Sequence, residues 1–156
     1  MKIISNSVSN TIKIGKRVAR VLKPGDIICL FGELGSGKTV LTKGIAAGLG
    51  VDATHVISPS FVLIRQHLKG RFPLYHFDLY RLRDLGDIFG LGYEEYLYDK
   101  GIAVIEWAER LKKLLPQEYL KIKLSVKNDS RRELEFFAKG ERYQEVLKEI
   151  HEDIKH

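Results

Sequence analysis

Cysteine is nearly absent from this 156-residue chain, where Cys29 stands alone. One thiol forms no internal disulfide and no cysteine-based zinc cluster. Inside an apolar run it reads as a small core residue. Long hydrophobic runs are missing too, and no stretch reaches the roughly 20 apolar residues of a membrane span. The opening Met1-Lys2-Ile3-Ile4-Ser5-Asn6 lacks the apolar region of a signal peptide. Together these absences predict a cytoplasmic protein. No repeat, linker or low-complexity segment interrupts the chain, so residues 1–156 are expected to form one domain. There is no long basic run either, although the net charge is +6. That surplus reads as a solvated lysine-rich surface or as a face for RNA or an acidic protein. Its modest cluster is Arg81, Arg83, Arg110, Lys112 and Lys113.

What is present is one dense motif, Gly32-Glu33-Leu34-Gly35-Ser36-Gly37-Lys38-Thr39. It fits the phosphate-binding loop G-x-x-x-x-G-K-[ST]. Before it runs Asp26-Ile27-Ile28-Cys29-Leu30-Phe31, which reads as a buried strand. After it, Val40, Leu41, Ile45 and Leu49 recur at helical spacing, with Gly48 and Gly50 as a stop. Glycines let the backbone wrap an oxyanion, and the N–H groups of the loop and the next helix face it. In this motif the lysine, here Lys38, reaches the β/γ-phosphates, and the hydroxyl of Thr39 sits on Mg²⁺. The residues Glu33, Leu34, Gly35, Ser36, Gly37, Lys38, Thr39 and Val40 are therefore the predicted nucleotide cradle. No guanine-reading Asn-Lys-x-Asp occurs, because Asn128-Asp129 follows Lys127 in the wrong order. This favours ATP.

Around the motif, Met1 to Ile4 reads as a short strand, and Ser9 or Asn10 as the cap of a helix through about Leu22. Pro24-Gly25 ends that helix. Two hairpins are expected, one from about Phe61–His67 to Phe72–Leu79 and one about Asn128-Asp129-Ser130. Between them lie two short helical pieces within Asp84–Tyr98, the strand Ile102–Ile105 and a short helix from Ala108 to Leu115. An amphipathic helix over Glu141–Ile154 ends the chain. The predicted fold class is α/β, a single P-loop NTPase-like domain with a mixed parallel/antiparallel sheet flanked by helices.

A phosphate loop needs a carboxylate for Mg²⁺ or its waters, usually from a nearby strand end. Asp78 and Glu106 each close a predicted strand. Residue types alone leave open which one holds metal and which orients the attacking water. Ser60 lies in a Ser-Pro-Ser turn and reads as a γ-phosphate sensor or as an ordinary proline turn. His76 suits a hydrogen bond to a phosphate or to Asp78, or a structural role. Trp107 suits base stacking or packing.

These motifs in this order, with Ser58-Pro59-Ser60-Phe61, His76-Phe77-Asp78-Leu79-Tyr80-Arg81 and Glu106-Trp107, resemble the TsaE (YjeE) family. The resemblance runs from the first helix to about Arg110. It implies a small, weakly active ATPase, with ATP and Mg²⁺ as cofactors, of the tRNA threonylcarbamoyladenosine pathway. Such a protein works with the TsaD and TsaB proteins, resets their complex, meets tRNA indirectly or weakly, and does not itself transfer the threonylcarbamoyl group. By motif position the resemblance makes Lys38, Asp78 and Glu106 catalytic and puts Thr39, Asp78 and Glu106 at the metal. It also places Thr11 and Trp107 near the nucleotide or the partner interface. Three positions depart from the family pattern: Glu33 replaces an aspartate, Ser60 a threonine, and Ala108 a proline.

Overall fold

Strand alternation decides which core each side chain enters. In the computed structural model, which describes residues 1–57, 64–98 and 100–156, strand β2 (Ile27–Phe31) splits cleanly. Ile28 and Leu30 enter one core, while Ile27 and Cys29 enter the other. A strand buried on both faces needs helices on both sides, and the sequence supplies them.

In chain order, β1 (Lys2–Ser5) leads into helix α1 (Val8–Val21), β2 and helix α2 (Lys38–Gly48). Then come β3 (Ile64–His67), β4 (Leu74–Asp78), the short helices α3 (Leu85–Phe89) and α4 (Tyr93–Leu97), and β5 (Ile102–Glu106). The hairpin of β6 (Tyr119–Val126) and β7 (Arg132–Lys139) follows, and α5 (Glu141–Lys155) ends the chain. The strands form one 7-stranded sheet in the order β1-β7-β6-β2-β5-β4-β3. β6, β2, β5 and β4 run parallel, and the outer pairings β3–β4, β6–β7 and β1–β7 are antiparallel. This is the mixed α/β sheet expected from the two hairpins.

Helices α1, α2 and α5 cover the first core, with Val18, Leu41, Ile45, Val146 and Ile150 packed over Ile28, Leu30 and Phe136. The second core is capped by Ile88, Tyr93 and Leu97 over Phe77 and Ile105. α1 and α2 approach closely because glycines face each other: a Cβ on Gly44 would lie 2.5 Å from the Ile12 carbonyl oxygen. Gly44→Ala should therefore lower stability by about 1–3 kcal/mol through overpacking. Alanine's better helix propensity, worth up to about 1 kcal/mol, offsets only part of this. The midpoint of urea unfolding checks the sign, and an unchanged or higher midpoint would contradict the tight contact.

Two expectations need correction. The cap of α1 is Ser7, not Ser9 or Asn10: its hydroxyl accepts the Asn10 N–H at 3.0 Å. Asn10 instead uses its side chain to accept the Asn6 N–H. The segment Ala108–Leu114 is a 3-10 helix with a kink, because Lys112 adopts φ 49° and ψ −120°. Ser60, and the expected start of the first hairpin strand at Phe61, lie outside the described residues.

Candidate functional site

The glycine-rich loop leaves the carboxyl end of β2, the central strand of the sheet, and runs straight into α2. Gly37 at the turn into the helix has φ 101°, the left-handed region that excludes most side chains. No side chain caps α2. Its first N–H groups stay available beside the loop, the arrangement that favours an anion.

Lys38 folds back over the loop. Its ammonium donates to the Gly32 carbonyl at 2.6 Å, the Glu33 carbonyl at 2.9 Å and Ser36 Oγ at 3.4 Å. It also lies 3.9 Å from the centre of the Trp107 ring, a cation–π distance. Burial pushes the ammonium pKa down from its ordinary value, against the pull of Glu106, Glu109 and Asp78. The loop thus stores a desolvated cation surrounded by carboxylates.

Two of those carboxylates, Asp78 and Glu106, come from adjacent strand ends. β4 and β5 run parallel in a register that sets Asp78 opposite Glu106. Both are buried, at 5% and 2% exposure, so each needs hydrogen-bond donors. Glu106 Oε1 accepts the Thr39 hydroxyl at 2.8 Å. Glu106 Oε2 meets His76 Nε2. Asp78 Oδ1 accepts the Tyr80 N–H at 3.1 Å. Of the protein groups, then, it is Glu106 and not the expected Asp78 that His76 meets. The reason is diagonal reach: His76 and Asp78 lie two residues apart on β4, and the Glu106 side chain lies back along the strand toward His76.

A cavity of about 260 Å³ joins these parts, lined by Leu34 to Val40 of the loop and helix, Asp78, Tyr80, Glu106 and Trp107. Trp107 holds a left-handed backbone, φ 59° and ψ 42°. For a residue other than glycine this costs roughly 1–2 kcal/mol, and such strain collects at functional positions. Its ring sits 5.0 Å from that of Tyr80, and the Arg110 guanidinium lies over both rings. The Arg81 and Arg83 side chains are exposed nearby in sequence, as are Lys112 and Lys113.

A second cavity of about 330 Å³ adjoins the same loop, lined by Ser7, Val8, Thr11, Gly35, Gly37, Val40, Asp129, Ser130 and Arg132. Thr11 is buried there, with its hydroxyl 2.6 Å from Ser5 Oγ and donating to the Ser7 carbonyl at 3.3 Å. Arg132 donates to the Gly35 carbonyl at 3.3 Å. Sequence reasoning overlooked Arg132 and Tyr80. The nearest signal for Arg132 was the Asn128-Asp129-Ser130 turn that precedes it. Glu33, by contrast, points its side chain to solvent and contributes only its carbonyl.

The donor set suits a small hard cation. Among the described residues no group of three or more His, Cys, Asp or Glu forms a metal cluster. A dedicated protein cage is thus not what the site offers. It offers a hydroxyl and a carboxylate oxygen 2.8 Å apart, with Asp78 on the next strand. Magnesium bound through one or two carboxylates, with water and phosphate completing its shell, needs no more than that.

Comparison with known proteins finds relatives over most of the chain. The family model described as "Threonylcarbamoyl adenosine biosynthesis protein TsaE" matches residues 5–134. The tRNA threonylcarbamoyladenosine biosynthesis protein TsaE of Bacillus subtilis is 42% identical over 147 residues, covering 92% of this chain and 90% of that protein. Its counterpart in Treponema pallidum is 41% identical over 134 residues, covering 86% and 98%. Among solved structures, Bacillus subtilis YdiB superposes with a TM-score of 0.83 at 37% identity, covering 97% of this chain and 94% of that one.

Proposed function

Because the chain belongs to the TsaE family, we propose that it binds and slowly hydrolyses ATP as an accessory protein of tRNA threonylcarbamoyladenosine formation. In this reading it acts with the TsaD and TsaB proteins and resets their complex, without transferring the threonylcarbamoyl group itself. It works in the cytoplasm and meets tRNA only weakly or through its partners. No described helix is long and apolar enough to cross a membrane.

The observation that carries the reading is the meeting of Thr39, at the start of α2, with Glu106, at the end of β5, under a loop that already holds Lys38. A phosphate loop alone grips; a loop with a carboxylate on its hydroxyl also places charge where a triphosphate reacts. Lys38 would exchange its two loop carbonyls for β- and γ-phosphate oxygens. Thr39 and Glu106 would hold Mg²⁺, which when bound neutralises charge on the phosphates. Asp78, one strand further out, would orient the attacking water. The cavity beside Thr11 and Arg132 is the place for the nucleoside, because it adjoins Gly35 and Gly37 and neither carboxylate lines it.

On this reading turnover by the isolated protein is slow. A positive group supplied by a partner against the transferring phosphate is worth orders of magnitude in rate. Phosphate release from ATP should accordingly be weak for the chain alone and rise at least tenfold with TsaD, TsaB and tRNA added. Phosphate appearing on a small acceptor would instead make it a kinase. Binding without turnover in every mixture would make it a nucleotide-gated binding module.

A further inference from the structure

His76 is fully buried in the middle of β4. A buried imidazole is expensive to keep unless its polar atoms are used. Here one nitrogen is used and one is not: Nε2 meets Glu106 Oε2, while Nδ1 has no hydrogen-bond partner. This asymmetry assigns the tautomer. If Nδ1 carried the proton, a buried N–H would be orphaned and two lone pairs would face each other at Glu106. With the proton on Nε2, the bond to the carboxylate is made and only a weak acceptor is left over.

We propose that His76 is the positioning residue for Glu106 in nucleotide-dependent Mg²⁺ binding. The inference rests on the reading of the loop as an ATP site. Glu106 is buried among strand residues and has two oxygens to satisfy. His76 takes Oε2 and thereby fixes the rotation of the carboxylate. Oε1 is then left aimed at the Thr39 hydroxyl, at the side of the carboxylate that opens to the cavity. Without His76, Oε2 would lose its donor inside the sheet. The carboxylate would turn or draw in water, and the 2.8 Å placement of Oε1 on Thr39 would no longer be held. Residues behind a ligating group commonly carry 10–100-fold of metal affinity or activity.

The test compares His76→Gln with His76→Asn in the full-length protein. Both are polar and smaller than tryptophan-sized replacements that would break the sheet. Only the longer glutamine amide reaches the position of Nε2, so only it can donate to Glu106. The readout is ATP affinity with and without magnesium chloride, with thermal unfolding measured alongside. The wild type and His76→Gln should show similar tightening by Mg²⁺. His76→Asn should lose about 10–100-fold of that tightening while keeping the metal-free affinity within about threefold. Equal Mg²⁺ responses in the two variants would overturn the positioning role, whatever their unfolding temperatures. A merely structural histidine would shift unfolding in both and leave the Mg²⁺ ratio alone. If the wild type itself fails to bind ATP, the nucleotide reading falls and takes this inference with it; that outcome is distinct from a wild type that binds beside two equal variants.

Discussion

Lys38→Ala should weaken ATP binding about 100-fold, a loss of roughly 2.7 kcal/mol by the usual affinity scale. The figure is smaller than a lone phosphate–ammonium contact would suggest. Without ligand the ammonium is already bonded to the carbonyls of Gly32 and Glu33. Binding therefore exchanges contacts and keeps only their difference. Hydrogen bonds to charged groups contribute about 1.5–3 kcal/mol each, and the phosphate bonds exceed the carbonyl bonds because both partners are charged. Stability should respond differently. Burial already disfavours the Lys38 ammonium and draws its pKa down. Removing it relieves that desolvation while freeing two carbonyls at the edge of an open cavity. The unfolding midpoint should move little while affinity collapses, and isothermal titration beside thermal unfolding separates the two. Unchanged nucleotide affinity would sink the phosphate-loop reading.

Glu106→Gln should leave the fold intact and lower partner-stimulated hydrolysis about 100-fold. The amide can still accept from His76 and donate to Thr39, so both neighbours of Glu106 stay satisfied. What is lost is the negative charge. Since Glu106 faces Thr39 and lies near enough to hold up the Lys38 pKa, that charge would act on the reacting end of the proposed nucleotide. Single-turnover phosphate release with the partner proteins measures the effect, and wild-type turnover would remove Glu106 from the chemistry. Alanine is the poorer choice. It would strand the buried His76 and leave a void, costing about 1–3 kcal/mol for the unpaired group alone. A dead Glu106→Ala protein would thus confuse lost chemistry with lost structure.

Much of this was readable beforehand because its signals are local. The strand, glycine loop and helix from Asp26 to Leu49 form one continuous stretch, and period-2 alternation marks β6 and β7. Asp78 and Glu106 were legible as strand ends. Their relationship was not, because it depends on the parallel register that sets one opposite the other. That register also brings Glu106 to His76, so the histidine's partner lay beyond any local pattern. Arg132 comes beside the loop only because β6 neighbours β2 in the sheet. The cap at Ser7 was hidden by Val8, an apolar residue that starts the helix yet stays exposed. The kink after Trp107 comes from the backbone of Lys112, which no residue preference at that position announces.

The place of β2 in the sheet has a further consequence, for the order in which the protein is made. β2 comes early in the chain, yet both strands beside it, β5 and β6, belong to the second half. Joining distant segments means closing long loops before any contact compensates, which slows folding. The anchor of the glycine loop has no neighbour to pair with until those later strands have left the ribosome. The proposed nucleotide binding would thus be among the last properties that a nascent chain acquires. A half-made chain carries the whole motif and no working grip.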